Sequence, residues 1–164
     1  MAGMGLPTEI ENEDTMAGMF LTFTLANQTY GLEIRYVLEI IGLQTVTEVP
    51  DVDKYVKGVI NLRGQIIPAM DVRLRFGMPP RDYDERTCII VVTVDSASVG
   101  FIVDRVAEVL NIADSEIQPP PSITKHEGQR FMKGLGKVGN DIKILLDVEK
   151  MVRGSRLAEQ PSVN

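Results

Sequence analysis

The stretch from residue 58 to residue 77 constrains the fold of this chain more strongly than any other part of the sequence. It contains two short apolar runs, 58–62 and 65–72, which are separated only by Arg63 and Gly64. Apolar runs of this length between turn residues predict buried strands, and Gly64 can adopt a positive φ at no steric cost. The stretch therefore predicts a β-hairpin with Arg63 at its turn. Because exposed charges usually contribute little, a solvated Arg63 is favoured over one that forms half of an ion pair.

Most other apolar segments are also short and predict strands instead of long helices. Residues 20–25 alternate between apolar and threonine side chains, which is the period of a half-buried strand, and residues 29–33 predict its hairpin partner. Further strands are predicted at 88–94, 99–103, 130–136 and 142–147. Short strands at close spacing, without a helix long enough to cover a parallel sheet, are typical of small β-barrels. The predicted fold class is therefore mainly β.

Several short segments are predicted to interrupt or extend these strands. Apolar residues at positions 34, 37, 38 and 41 have helical spacing and predict a helix of about two turns that ends at Gly42. Residues 43–49 alternate as a strand does, whereas residues 104–110 fit either a strand or a short helix. Short helical turns are predicted at 51–57, 72–76 and 148–152.

The length of 164 residues fits one domain, or two small ones that share a core. A breaker at 77–80, followed by charged residues at 81–86, predicts a linker between two halves. Residues 1–18 are small and acidic and predict a mobile arm, and residues 153–164 predict a frayed tail. The folded part is therefore expected to begin near residue 19 and to end near residue 152.

Charge and composition argue against several classes of function. With 17 basic and 23 acidic residues the net charge is −6, which disfavours nucleic-acid binding and general adhesion to anionic membranes. No apolar run approaches the roughly 20 residues of a membrane-spanning helix, so no direct membrane insertion is expected. The single cysteine, Cys88, lies among isoleucines and valines and is predicted to be a small buried residue, compatible with a reducing cytosol.

Three patterns suggest chemistry, and each has a simpler explanation. Residues 134–139 match G-x-G-x-x-G, but a β-type run follows instead of a helix, so a hairpin turn is favoured over a dinucleotide site. His126 is the only histidine and cannot complete a zinc site. Asp71, Asp104 and Asp147 each follow an apolar strand, where capping of short helices is favoured over a carboxylate cluster. The sequence thus predicts a binding module without cofactor or metal; a small β-barrel enzyme or ligand domain is the other class.

Residues 58–73 resemble the signature of the CheW family of chemotaxis coupling proteins. Other motifs of this family occur in the same order, and the resemblance spans about residues 20–152. They are found at 20–25, 30–34, 37–41, 47–50, 100–106, 108–110, 134–136 and 144–151.

The resemblance implies two SH3-like five-stranded β-barrel subdomains that share a hydrophobic core within residues 19–152. The second subdomain is expected to begin near 81–87, and the chain end is expected to return to the first. The implied function is a non-enzymatic, cytoplasmic adaptor, monomeric in isolation, that joins chemoreceptors to the CheA histidine kinase in membrane-associated arrays. The regulatory C-terminal domain of CheA has the same fold, so an excised domain of that kinase is the alternative.

The resemblance also assigns roles to individual residues. The family binds the hairpin tip of a receptor in a groove between the subdomains, and Glu39 and Arg63 match a pair expected to lie close together, which reverses the preference for a solvated Arg63. Ile123, an apolar residue in a polar loop, matches a position that contacts the kinase. The matching groove residues are Ile34, Val37, Glu39, Arg63, Cys88, Gly100, Val106 and Val109.

Overall fold

The computed structural model describes residues 16–121 and 128–153, which form eleven strands and a few short helices. Most of the predicted arm and tail, residues 1–15 and 154–164, lies outside the described residues. The strands are β1 (Met19–Leu25), β2 (Gln28–Glu33), β3 (Val37–Gly42), β4 (Val56–Leu62), β5 (Gln65–Asp71), β6 (Cys88–Val94), β7 (Ala97–Val103), β8 (Arg105–Asn111), β9 (Ile117–Gln118), β10 (Met132–Val138) and β11 (Asp141–Leu146). The α-helices are α1 (Val72–Arg75) and α2 (Val148–Arg153), and 3₁₀ turns occupy Ile34–Tyr36, Asp114–Glu116 and Gly128–Phe131.

Two sheets account for all of these strands. One sheet has six strands in the order β8-β1-β2-β11-β10-β9, and the other has five in the order β3-β6-β7-β5-β4. All neighbouring strands are antiparallel except β2 with β11 and β5 with β7, which are parallel. The predicted mainly β fold with two subdomains is confirmed. The two-residue β9 gives one sheet a sixth strand, and the ladders between the described strands do not close into barrels.

The two sheets repeat one pattern of strands and one pattern of sequence. The first five strands of the six-stranded sheet correspond in order and orientation to β3-β6-β7-β5-β4. The sequence Val-Leu-Glu-Ile-Ile-Gly of β3 matches Val-Ala-Glu-Val-Leu-Asn of β8, and both strands pair with their neighbour across a register shift. Residues 58–72 match 134–148 without a gap, each copy giving strand, turn, strand and then an Asp-Val helix start. The molecule is therefore an internal duplication.

The division of the chain between the sheets differs from the expected boundary near 81–87. Residues 81–87 connect α1 to β6 within the five-stranded sheet. The chain instead passes from one sheet to the other at the Ile34–Tyr36 turn and returns at Asp104. The chain end returns to the sheet that contains β1, because β10 and β11 lie there.

A shared hydrophobic core lies between the sheets. Phe23 and Leu25 of the six-stranded sheet, and Ile90, Val92 and Phe101 of the five-stranded sheet, belong to one cluster and are all fully buried. Adjacent residues on these strands point to the opposite face of each sheet. Smaller apolar clusters fill that face, and their fully or nearly fully buried members include Ile60, Ile67 and Ile89 in one sheet and Phe20, Ile112 and Leu145 in the other.

An isolated bridge joins the two edges of the five-stranded sheet. The Thr47 amide donates to the Val59 carbonyl at 2.9 Å, and the Val59 amide donates to the Thr47 carbonyl at 2.8 Å. Because Thr47 follows β3 and Val59 lies in β4, the chain after one edge strand reaches the other edge. The strand predicted at 43–49 is reduced to this bridge. Its counterpart in the six-stranded sheet is β9, which follows β8 and pairs with β10.

The short helices were predicted with mixed success. Those at 72–76 and 148–152 are confirmed, and 104–110 is strand β8. The helix predicted over 34–41 is wrong, because a single 3₁₀ turn is followed by strand β3, whose β-branched residues pair with β6. The helical turn predicted at 51–57 is also wrong, and β4 begins there at Val56.

The bridge predicts that Gly58 cannot be replaced without loss of stability. Gly58 has φ +148°, and a Cβ atom on it would lie 2.0 Å from the Thr47 carbonyl oxygen. We expect Gly58→Ala to lower the free energy of unfolding by about 2–4 kcal/mol in urea denaturation, since backbone must move. Gly42→Ala is the control, because no atom lies within 4 Å of its Cβ position. Equal stability of the two variants would show that the Thr47 bridge is not a fixed part of the fold.

Candidate functional site

The turn between β4 and β5 carries an ion pair. Arg63 and Gly64 both have positive φ, 51° and 88°, which forms the predicted turn, and the Gly64 amide donates to Asn61 Oδ1 at 2.8 Å. The Arg63 guanidinium donates to the carboxylate of Glu39, which lies on β3. The expected proximity of Glu39 and Arg63 is confirmed, and the alternative of a solvated, unpaired Arg63 is wrong. The hydrogen bond to Glu39 raises the pKa of Arg63 above its ordinary value.

This ion pair connects the two edges of the five-stranded sheet at the surface. β3 and β4 are the outermost strands of that sheet, so the pair spans the same gap as the Thr47 bridge. The Arg63 side chain is 69% exposed and that of Glu39 is 24% exposed. The guanidinium therefore retains free faces that a second protein can contact while the carboxylate holds it in place.

Four of the predicted groove residues are partly buried against the shared core. They are Ile34, Val37, Cys88 and Val106, which all pack against the central cluster, and we call this set of residues the seam. Val37 on β3 and Val106 on β8 occupy equivalent positions of the internal repeat, opposite Val92 and Phe23 respectively. Val37 and Val106 therefore lie on the outermost strand of each sheet, whereas Ile34 lies in the turn that joins the sheets and Cys88 begins β6. Val109 lies further along β8 and is 46% exposed.

Gly100 is the one described groove candidate that the structure places away from the seam. It is buried in β7 between β5 and β6. A Cβ atom on Gly100 would lie 2.8 Å from Ile89 Cγ2 and 3.7 Å from Ile60 Cδ1, so this residue faces the smaller cluster of its own sheet. Gly31 is its counterpart in β2, where a Cβ atom would lie 2.9 Å from Leu145 Cδ2. Packing within each sheet explains both glycines.

Cys88 is less buried than its apolar neighbours predict. It is half-buried at the start of β6, where it opposes Gly42 and Val103. Its thiol donates to the carbonyl oxygen of Arg86 at 3.2 Å. Cys88 was predicted to be a small buried residue, and it is only partly buried against the central cluster, at the first residue of β6.

Two apolar residues beside the seam were missed. Leu38 and Ile40 are 58% and 44% exposed on β3, and Ile40 is the repeat equivalent of Val109. The assignment of this segment to a helix concealed them, because a helix would have turned Leu38 inward with Ile34. The matching sequence of β8 was the available signal for a strand.

A second pair of exposed isoleucines follows from the internal repeat. Ile66 on β5 and Ile142 on β11 are 65% and 57% exposed, and they hold equivalent positions beside the two hairpin turns. Each subdomain therefore presents one apolar side chain at the same end of the repeated hairpin, β4–β5 in one and β10–β11 in the other. Sequence reasoning missed both, since alternation along a strand does not show which face is covered.

The patterns that suggested chemistry have structural explanations within the described residues. No three His, Cys, Asp or Glu side chains there could hold a metal ion. Asp71 Oδ1 accepts from the Leu74 amide at 3.1 Å and Asp147 Oδ1 from the Lys150 amide at 2.9 Å, so capping is confirmed for these two. Capping was the wrong prediction for Asp104, which pairs with Arg73 because a strand follows it. Residues 134–139 lie in β10 and the turn that follows it, which confirms the predicted hairpin. Ile123 and His126 lie outside the described residues.

The chain is similar to one known protein family and to proteins of that family. The family described as the CheW-like domain matches residues 19–156. The chain is 37% identical over 158 residues to a chemotaxis protein CheW of Klebsiella aerogenes, covering 96% of this chain and 95% of that protein. It is 29% identical to a chemotaxis protein CheW of Treponema pallidum, covering 84% and 83% respectively. The crystal structure of scaffolding protein TtCheW from Thermoanaerobacter tengcongensis matches with a TM-score of 0.74 and 35% identity, covering 79% of this chain and 88% of that one.

Among the described residues, no helix is both long and apolar enough to span a membrane.

The exposure of the Glu39–Arg63 pair predicts that it contributes little to folding. Water screens an ion pair at such a site, and ordering two long side chains opposes its attraction. We expect Glu39→Gln and Arg63→Gln, alone and together, to leave the midpoint of urea denaturation close to that of the parent protein. A double-mutant cycle measures the coupling between the two residues directly. A large loss of stability in either single variant would show that the pair closes the five-stranded sheet.

Proposed function

The chain belongs to the CheW-like domain family, and we propose that this chemotaxis coupling adaptor links the cytoplasmic hairpin tips of chemoreceptors to the regulatory domain of the CheA histidine kinase. In this role it performs no chemistry and holds both partners at once. Its similarity to a protein described as a scaffold supports a non-enzymatic role. Simultaneous binding raises the effective concentration of each partner, so two weak contacts suffice within an array.

The observation that carries the receptor half of this proposal is the seam with its neighbouring ion pair. Ile34, Val37 and Val106 are partly buried against the shared core and apolar, which suits contact with the apolar face of a helix. Exposed Leu38, Ile40 and Val109 extend the apolar surface along β3 and β8. We propose that the receptor tip lies along these two edge strands.

The ion pair supplies the polar end of the same surface. Glu39 lies on β3 between Leu38 and Ile40, so Arg63 is held beside this apolar surface. A fixed guanidinium at the rim of a groove selects the orientation and the charge of its partner more than it adds affinity. This assigns Arg63 to recognition and Glu39 to its positioning.

The kinase contact is proposed at a different place. Ile123, which lies outside the described residues, stays the candidate for one subdomain by its position in the family. On the other subdomain, the exposed side chain of Ile66 is available beside the β4–β5 turn. Separate surfaces are necessary for an adaptor, because a shared surface would make the two partners compete. We further propose that residues 19–152 form the functional domain, acting in the cytoplasm and recruited from there to receptor arrays.

The alternative of a regulatory domain cut from CheA is not favoured. The relatives named above are chemotaxis proteins CheW, and the chain spans 95% and 83% of their lengths. A small-molecule domain would require a ligand that raises the melting temperature of the isolated protein, and the coupling role requires none.

The decisive experiment is a pair of calorimetric titrations of the full chain. One titrates a receptor cytoplasmic hairpin and the other a CheA regulatory domain, and a third titration adds the hairpin to the preformed kinase complex. Binding to both partners, with the second unaffected by the first, is the expected result. Competition between the partners would contradict the adaptor role. Binding to neither partner would favour the alternative of a small-molecule-binding domain.

Charge reversal at Arg63 tests the receptor surface. We expect Arg63→Glu to weaken receptor-hairpin binding by about tenfold or more, because it places two carboxylates side by side at the groove rim. Affinity for the kinase domain and the circular-dichroism melt should stay near those of the parent. Lys57→Glu, an equal change of charge at an exposed position on β4, is the matched control. Unchanged receptor binding by Arg63→Glu would remove the ion pair from the receptor surface.

Substitution of Ile123 tests the kinase surface. We expect Ile123→Ser to weaken binding of the kinase domain by about tenfold while receptor binding is retained, since an anchoring apolar side chain is lost. Val49→Ser removes another exposed apolar side chain and serves as the control. Equal loss in both variants would indicate a general effect of surface hydrophobicity, and no loss in either would exclude Ile123 from the interface.

A further inference from the structure

A cleft at the turn between β1 and β2 is lined by four arginines and two aspartates. Its volume is about 580 Å³, which is within the size range of small-ligand sites. The turn residues Ala26 and Asn27 form one wall, and the start of β8 and the connector between α1 and β6 form the others. We call this feature the arginine cleft, and its charged residues are Arg73, Arg81, Arg86, Arg105, Asp84 and Asp104.

Asp104 is fully engaged in building the cleft. Arg73 Nε and Nη2 each donate to its carboxylate at 2.8 Å, and the Ala26 amide donates at 3.1 Å. Arg81 Nη1 lies 3.3 Å from the same carboxylate. Burial raises the pKa of Asp104, but the hydrogen bonds from Arg73 and Ala26 outweigh it and bring the pKa below its ordinary value. The Asp104 carboxylate is thus itself an anion that the arginines and a backbone amide of the cleft bind.

Asp84 is engaged by its own loop. Its Oδ1 accepts from the Arg86 amide at 2.8 Å, and its Oδ2 accepts from Arg81 Nη2 at 3.0 Å. The hydrogen bond from the Arg86 amide lowers the pKa of Asp84. Both aspartates are therefore ionised at neutral pH and already have their partners.

The charges of the arginine cleft do not balance. Within residues 16–121 and 128–153, no acidic side chain pairs with the guanidinium of Arg86 or Arg105, and both side chains are exposed. Four guanidinium groups against two carboxylates leave a charge of +2 in a protein whose net charge is −6. Unpaired positive charges that face one another across a concave surface repel, and an anion between them relieves that repulsion.

The residue type points to the class of anion. The chain has 17 basic residues, of which four arginines and no lysine line the cleft. All cations of the cleft are therefore planar guanidinium groups. Guanidinium groups match the oxygens of phosphate in bidentate pairs, whereas a lysine offers only a point charge. We propose that the arginine cleft is a binding site for phosphate-bearing small molecules, with Arg86 and Arg105 as direct ligands and Arg81 as the third.

This site is separate from the receptor surface proposed above. Its cations lie on α1, on the connector between α1 and β6 and at the first residue of β8, whereas the seam residue Val106 lies on the opposite side of that strand. The repeat offers no second copy, because the corresponding turn between β6 and β7 carries Asp95 and Ser96 and pairs Asp95 with Arg153.

The test is a titration of the full chain with pyrophosphate followed by ¹H–¹⁵N NMR. Ionic strength is held constant with sodium chloride, and inorganic phosphate and adenosine monophosphate are titrated in parallel to separate free phosphate from an ester. We expect saturable shifts that are confined to the amides of Ala26, Asn27, Arg86 and Arg105. Shifts that do not saturate, or that sodium chloride alone reproduces, would overturn the proposal.

Two double variants of equal charge make the assignment specific. Arg86→Gln with Arg105→Gln removes two unpaired guanidinium groups and should weaken pyrophosphate binding by about a hundredfold, or about tenfold for each. Lys57→Gln with Lys137→Gln removes two exposed lysines elsewhere and should leave the affinity unchanged. Spectra of both variants without ligand establish that they are folded.

The remaining outcomes also decide the question. Equal losses in the two double variants would mean that overall charge, and not the arginine cleft, attracts the anion. Saturable binding of a poly-glutamate peptide without any binding of pyrophosphate would overturn the proposal in favour of an acidic protein segment.

Discussion

Burial of apolar side chains between the two sheets is the interaction on which the rest of the structure depends. Each sheet presents one face to the other, and Phe23, Ile90 and Phe101 meet there without exposure to water. Full burial of such side chains stabilises a fold by about 1.5–3 kcal/mol each, and this cluster draws side chains from strands of both sheets. The helices are too short to be stable in isolation, so they too depend on packing against this core. The seam residues Val37 and Val106 are only partly buried because each lies on the outermost strand of its sheet, at the margin of this core.

Electrostatics then differentiates a surface that the duplication would otherwise leave nearly symmetric. The turn of one hairpin carries Arg63, held by Glu39, whereas the equivalent turn of the other carries Gly139 and no charge. The turn between β1 and β2 is surrounded by arginines, whereas acidic side chains outnumber the arginines Arg35 and Arg153 around its counterpart. Two subdomains with one backbone pattern thus present different chemistry to their surroundings. This is what an adaptor with unlike partners requires.

The hairpin at 58–72 and the other strands could be predicted because their apolar runs are short and bounded by turn residues. The structure of segment 34–41 could not be predicted in this way. Its apolar residues have the spacing of a helix, whereas its β-branched residues favour a strand. Pairing with β6 makes most of this segment a strand. The Glu39–Arg63 pair was expected only through the family resemblance. Nothing local in the sequence shows that β3 and β4 become opposite edges of one sheet that curls until they meet. The burial of Gly100 could not be predicted from the local sequence either, because it depends on packing against Ile89 of a neighbouring strand.

The positions of the strands of each sheet along the chain determine the order in which the two sheets can form. All strands of the five-stranded sheet come from one continuous segment, from Val37 to Val103, whereas the six-stranded sheet needs both the first and the last strands of the fold. During synthesis the five-stranded sheet is complete while β1 and β2 still lack β8, β10 and β11. The first hairpin to leave the ribosome is therefore among the last elements to find its neighbours, and the contacts that close the protein are those of greatest separation along the chain.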